Sequence, residues 1–118
     1  MLRLGSECYL EVIAIDPSLP APPRPRWFGL DDPAMQANLA KTPRLIHWVA
    51  RTDDIVAAQA TAPDILGPVV AASRGTVNWR ITIPDSGALP AGGAFPTLIE
   101  WPSGITLRGR WRRGAAVL

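Results

Sequence analysis

An α+β fold built from short elements is what this sequence predicts, and three observations carry the reading. Thirteen prolines and ten glycines in 118 residues interrupt the chain too often for a helical bundle. Most apolar runs are short and rich in β-branched and aromatic residues, as strands are. Helix signals open only two segments, and strand candidates follow the second in succession with no further helix between them. Strands that follow one helix in this way favour a mixed or antiparallel sheet over a doubly wound one.

Residues 1–5 and 8–15 read as two strands joined by a turn at Gly5, Ser6 and Glu7, a hairpin. Asp16-Pro17 closes the second strand. Pro17, Pro20, Pro22, Pro23 and Pro25 then stiffen residues 17–26 into an extended linker with no packed interior. Trp27 and Phe28 follow. Two large aromatics on a stiff arm are expected to dock on a hydrophobic partner, near Trp48, and to wall a pocket.

Asp32-Pro33 is a helix start, an N-cap acceptor followed by proline at the first helical position. Met35 and Leu39 give its stripe, and Thr42-Pro43 ends it. Residues 44–51 form the next strand. Thr52, Asp53 and Asp54 start a second helix, with the carboxylates complementing its dipole, and Pro63 stops it. Residues 65–72, 76–83 and 95–101 are further strands. Breakers lie at Ser73-Arg74-Gly75 and in the loop 84–93.

The length suits one domain, large enough to bury a core without staples. A hydrophobic fraction of 47% with 19% charge argues against disorder. Net charge is +2, and eleven of the twelve basic residues are arginine. Four of these, Arg108, Arg110, Arg112 and Arg113, crowd a basic tail around Trp111, so the body offers no basic face for nucleic acid. The single Cys8 excludes an intrachain disulfide and fits a reducing compartment. No apolar run approaches the roughly 20 residues of a membrane span, and no signal-peptide pattern opens the chain. A cytoplasmic location follows by default.

Three polar residues fall where strand patterning predicts burial: Glu11, His47 and Glu100. Alternation puts Glu11 on the face of Tyr9 and Ile13, and His47 on that of Leu45 and Val49. A carboxylate inside an apolar strand is costly unless paired, protonated or metal-bound. Two carboxylates and the chain's one imidazole would suit a divalent metal, although the spacing matches no local metal motif. Each also has a plainer reading. Glu11 could pair with an arginine across the sheet, such as Arg80. His47 could be a hydrogen-bonded strand histidine, and Glu100 could face water. Ser73, Ser86 and Ser103 lack a nucleophile-elbow setting, and Gly92-Gly93 is not part of a phosphate loop.

Several stretches carry a resemblance. They are Tyr9-Leu10-Glu11-Val12-Ile13-Ala14-Ile15-Asp16-Pro17, Pro25-Arg26-Trp27-Phe28-Gly29-Leu30-Asp31 and Trp48-Val49-Ala50-Arg51-Thr52-Asp53-Asp54. Ser73-Arg74-Gly75, Trp79-Arg80-Ile81 and Pro96-Thr97-Leu98-Ile99-Glu100-Trp101-Pro102 complete the set. Together they resemble glyoxalase-like domain proteins of the vicinal oxygen chelate superfamily. The resemblance implies paired βαβββ modules whose curved sheets enclose a pocket. It makes residues 1–16 a remnant of a first module, 17–43 a crossover with a short helix, 44–102 the second module and 103–118 a basic tail. The first strand, first helix and second strand of the family have no counterpart, as in an N-terminal truncation.

In metal-dependent members the ligands come from the first and last strand of each module, and Glu11, His47 and Glu100 match such positions. The resemblance therefore implies a divalent metal on these three residues, with Glu11 or Glu100 as catalytic base. The reaction would be of lyase, isomerase or dioxygenase type on a substrate with vicinal oxygens. Trp27, Phe28, Trp48, Arg74, Trp79, Arg80 and Trp101 would contact the substrate. The alternative is a metal-free module that binds or sequesters a small molecule. An unpaired sheet edge at residues 1–4 predicts a homodimer that buries Leu2, Leu4 and Leu10.

Overall fold

The computed structural model describes residues 2–5 and 7–102. It contains a two-stranded hairpin and a four-stranded mixed sheet with helices, an α+β architecture as the sequence predicts. The hairpin pairs β1 (Leu2–Arg3) with β2 (Tyr9–Leu10), antiparallel, with Leu2 opposite Leu10. The expected strand over 8–15 is therefore only two residues long. A strand needs a neighbour for its backbone groups. Past Leu10 no ladder partner is present among the described residues, and Val12 lies largely in solvent.

Residues 17–26 form neither helix nor strand, as their prolines dictate. A 3-10 turn at Trp27–Gly29 follows, then α1 (Pro33–Lys41). The Asp32 side chain caps α1 by accepting from the Ala34 N–H at 2.9 Å, with proline at the first helical position. The helix ends at Thr42.

The main sheet is one βαβββ module. It runs β3 (Val49–Arg51), α2 (Ile55–Ala60), α3 (Pro63–Leu66), β4 (Val69–Arg74), β5 (Val77–Thr82) and β6 (Thr97–Glu100). The strand order is β3-β6-β5-β4, with β3 parallel to β6 and the other pairs antiparallel. Asp54 caps α2 by accepting from Ala57 N–H at 3.0 Å, the start expected of Asp53-Asp54.

Within this module, two further boundaries differ from expectation. Strand β3 occupies only the end of the 44–51 run, because its one neighbour, β6, begins opposite Val49. Pro63 does not simply stop a helix. It takes the first position of α3, where its missing N–H costs nothing, and so Ile65 and Leu66 are helical rather than strand. Gln59 Nε2 donates to the Gly67 carbonyl at 2.9 Å and ties the two short helices together.

The register defines two faces of the sheet. Ile81 lies opposite Ile99, and Arg80 opposite Glu100. Since neighbouring residues in a strand alternate sides, Trp79, Ile81, Thr97, Ile99 and Trp101 share one face, while Arg80, Thr82, Leu98 and Glu100 share the other. The first face carries the core cluster Ile81, Ile83, Ile99 and Trp101, against which Trp27 and Phe28 pack; it is called the arm face below. The second meets α2 and is called the helix face; Ile55 and Leu66 are wholly buried. The tail 103–118, including Trp111 and its arginines, lies outside the described residues.

Candidate functional site

His47 precedes β3 and reaches toward β6. Its Nε2 lies 3.0 Å from the Thr97 hydroxyl and accepts from the Thr97 N–H at 3.2 Å. Its Nδ1 is buried, with no hydrogen-bond partner among the described residues. Desolvation by burial lowers its pKa from the ordinary 6.5. This histidine is on the arm face, because Val49, two residues on, is the register partner of Thr97.

Glu100 lies on the opposite face. One carboxylate oxygen, Oε2, accepts from the Ile55 N–H at 2.9 Å at the first turn of α2. The other, Oε1, accepts from Arg80 Nε at 2.9 Å and from Arg80 Nη2. The Ile55 N–H and then the Arg80 guanidinium hold its carboxyl below the usual carboxylate range. That is the wrong direction for a general base, which works best with a pKa near the operating pH.

Glu11 is elsewhere again. It lies 4.0 Å from Arg74, at the end of β4, and helps anchor the hairpin segment to the sheet. Beside it, burial and then the Glu11 charge push the Tyr9 phenol up. Glu11 does have an arginine partner, but it is Arg74; Arg80 belongs to Glu100. Strands β4 and β3 are the two edges of the sheet, three strand spacings or about 14 Å apart.

The structure therefore does not bring Glu11, His47 and Glu100 to one point. Two occupy opposite edges of the sheet, and Glu100 is on the other side of it. No group of three His, Cys, Asp or Glu able to hold a metal occurs among the described residues. The imidazole Nε2 is already engaged by the hydroxyl and the N–H of Thr97. These residues do not fit a divalent ion held in common.

Of the expected ligand contacts, Trp27, Phe28, Trp79 and Trp101 gather on the arm face. Trp27 and Phe28 meet edge-on at 6.3 Å, and Trp79 and Trp101 lie 5.4 Å apart. Trp48 does not join them. It is one residue from His47, hence on the helix side of the edge strand, and it is 52% exposed. The arm therefore docks on a hydrophobic partner, but this partner is the isoleucines and Trp101 and not Trp48, and neither Trp27 nor Phe28 lines the cleft described below. Arg74 serves Glu11, and Arg80 serves Glu100.

An open cleft of about 560 Å³ runs along the β4–β5 hairpin and the end of β6. Ser73, Asn78, Trp79, Arg80 and Glu100 line it. Thr97 and the Ile55 N–H were not picked out from the sequence. A buried hydroxyl in Pro96-Thr97-Leu98 gave the only hint, as a partner for the lone histidine.

A pH dependence follows from His47. Its folded-state pKa is depressed, so at mildly acidic pH the unfolded chain binds a proton that the folded chain does not. Stability should fall as pH drops through the window just below 6.5. The depressed carboxyls of Asp16, Asp31 and Glu100 act separately, at lower pH, from about 4.5 downward for Glu100 and about 4 downward for the two aspartates. Urea midpoints from pH 7.5 to 5 should decline in the parent and flatten in His47→Gln. Equal slopes would contradict the assignment.

Fold and site together define a βαβββ protein with a small-molecule-sized cleft. The family model that describes the glyoxalase-like domain matches residues 1–116, and the chain belongs to that family, within the glyoxalase superfamily. No curated protein and no solved structure is a match for the chain. No helix among the described residues is long and apolar enough to cross a membrane.

Proposed function

We propose that this protein is a glyoxalase-like module that binds a small molecule without a divalent ion, in the cleft along the β4–β5 hairpin. The observation that carries the reading is the fate of the three candidate ligands. Arg74 pairs with Glu11, Thr97 binds His47, and Arg80 and the Ile55 N–H hold both oxygens of Glu100. The cleft volume of about 560 Å³ falls in the range of small-molecule sites. Ala71 supplies a small apolar surface, and Ser73 and Asn78 supply neutral donors and acceptors. Arg80 spends Nε and Nη2 on Glu100 and retains Nη1 for an acceptor oxygen. A small planar molecule with one or two oxygens fits this set.

The test combines metal analysis of untagged protein with thermal shifts against a panel of aromatic acids and phenols. The expected result is metal well below one equivalent and a ligand-dependent rise in Tm that is lost in Ser73→Trp. Ser73 is exposed, so that ring fills the cleft without disturbing the core. One equivalent of tightly held metal whose removal abolishes ligand binding would overturn the reading.

We also propose assembly as a homodimer. Leu2 and Leu4 are 60% and 61% exposed on a two-stranded hairpin, a form marginal in water by itself, and β3 is an edge strand with Val49 exposed. Light scattering at micromolar concentration should give twice the chain mass, and Leu2→Lys with Leu4→Lys should give the monomer. A monomeric parent would contradict it.

A further inference from the structure

We propose that Phe28 is a displaceable plug over His47, and that the position it covers accepts a small apolar ligand bearing one neutral carbonyl oxygen. The site is on the arm face, so it is separate from the cleft on the helix face and does not rest on that reading.

Three observations converge on it. First, the Thr97 N–H, shared with the Trp48 carbonyl at 3.3 Å, donates to His47 Nε2 at 3.2 Å. The neutral ring that accepts this bond holds its proton on Nδ1. Second, that Nδ1 is buried with no partner among the described residues, although buried donors are nearly always paired. Third, the Phe28 ring lies over this imidazole at 5.5 Å, and Phe28 holds it there from a left-handed backbone, φ 61° and ψ 30°. A bulky residue rarely adopts that conformation, and it persists only where neighbours enforce it.

The enforcing contacts flank Phe28 and leave it out. Arg26 N–H and Nη1 each donate to the Asp31 carboxylate at 2.7 Å. Gly29 N–H donates to the Gly87 carbonyl at 2.8 Å. The Phe28 side chain can therefore swing away while the arm stays anchored on both sides. Phe28 packs against the cluster of Ile81, Ile83, Ile99 and Trp101, an apolar bed for a replacement ring. A neutral N–H at its edge suits a carbonyl. A carboxylate would be desolvated there without a counter-charge.

The chain has a single histidine, so nitrogen-detected NMR reads it without assignment. Acetophenone and ethylbenzene, of near-equal shape, are the probes. The protein carries Ser73→Trp to close the cleft. The expected spectrum shows the Nδ1–H tautomer, and acetophenone shifts that proton. Acetophenone should bind about tenfold more tightly than ethylbenzene, the weight of one neutral hydrogen bond. Phe28→Gly, which removes both plug and backbone strain, should raise acetophenone affinity further. An Nε2–H tautomer, equal affinity for the two probes, or no binding in Phe28→Gly would each overturn the proposal. Tautomer and probe selectivity are read with Phe28 in place, so they decide the matter even where Phe28→Gly does not fold.

Discussion

Replacing Gly87 with alanine should unseat the arm and destabilise the protein by about 2–5 kcal/mol. Gly87 has φ +70° and lies against the Arg26 backbone. A left-handed residue with a Cβ costs roughly 1–2 kcal/mol by itself. Here the added carbon would also overlap the Arg26 carbonyl oxygen and crowd Pro25, so the arm and the 84–89 loop must separate. Separation breaks the Gly29–Gly87 hydrogen bond and lifts Trp27 and Phe28 from the isoleucine cluster. Gly75 is the matched control, with φ +59° and open space around its would-be Cβ. Gly75→Ala should cost only the left-handed term. Urea denaturation of the two variants gives the difference, and acrylamide quenching of tryptophan shows whether the arm has left. Equal losses for Gly87→Ala and Gly75→Ala would mean that the arm is not held by this close approach.

The arm also shows what was legible in the sequence. Prolines 17 to 25 announced a stiff delivery segment, and the adjacent aromatics announced a docking site. The βαβββ order was equally legible, because α1 and α2 each start at an aspartate cap and each strand carries its own apolar run; α3, which starts at Ala62-Pro63 with no side-chain cap, was not. Strand ends were not, because length is set by the partner. Four residues of β6 cannot support eight of the 44–51 run. The apolar stretch Ile65 to Val70 reads alike as helix or strand, and Pro63 was a start as well as a stop.

The site failed for a related reason. Alternation within each strand correctly marked His47 and Glu100 as polar residues among apolar ones. It could not relate one strand to the next. Only the register Val49 to Thr97 reveals that His47 shares a side with Thr97 and Ile99, leaving Glu100 on the other. A shift of one residue would have reversed that outcome. The pairing of Glu100 with Arg80 is likewise a cross-strand contact that no local motif announces.

Ile55→Ala should cost about 2–5 kcal/mol, a large share of the roughly 5–15 kcal/mol that holds a domain together. Helix α2 has six residues, too few to persist in water by itself, so packing must hold it. Ile55 is its one wholly buried side chain, fixed at the first turn where its own N–H meets Glu100. Alanine keeps that N–H and removes the side chain, so the loss measures packing and not capping. The neighbour Val56 is 56% exposed, and Val56→Ala should move stability by no more than about 0.5 kcal/mol. The same pair probes the cleft, since Glu100 links α2 to Arg80. With the cap retained, Ile55→Ala should leave ligand affinity near that of the parent at temperatures where the fold persists. Urea midpoints and a ligand titration at 10 °C are the measurements. Equal losses for Ile55→Ala and Val56→Ala would show that α2 is not packed on the sheet, and the helix-covered face would lose its physical basis.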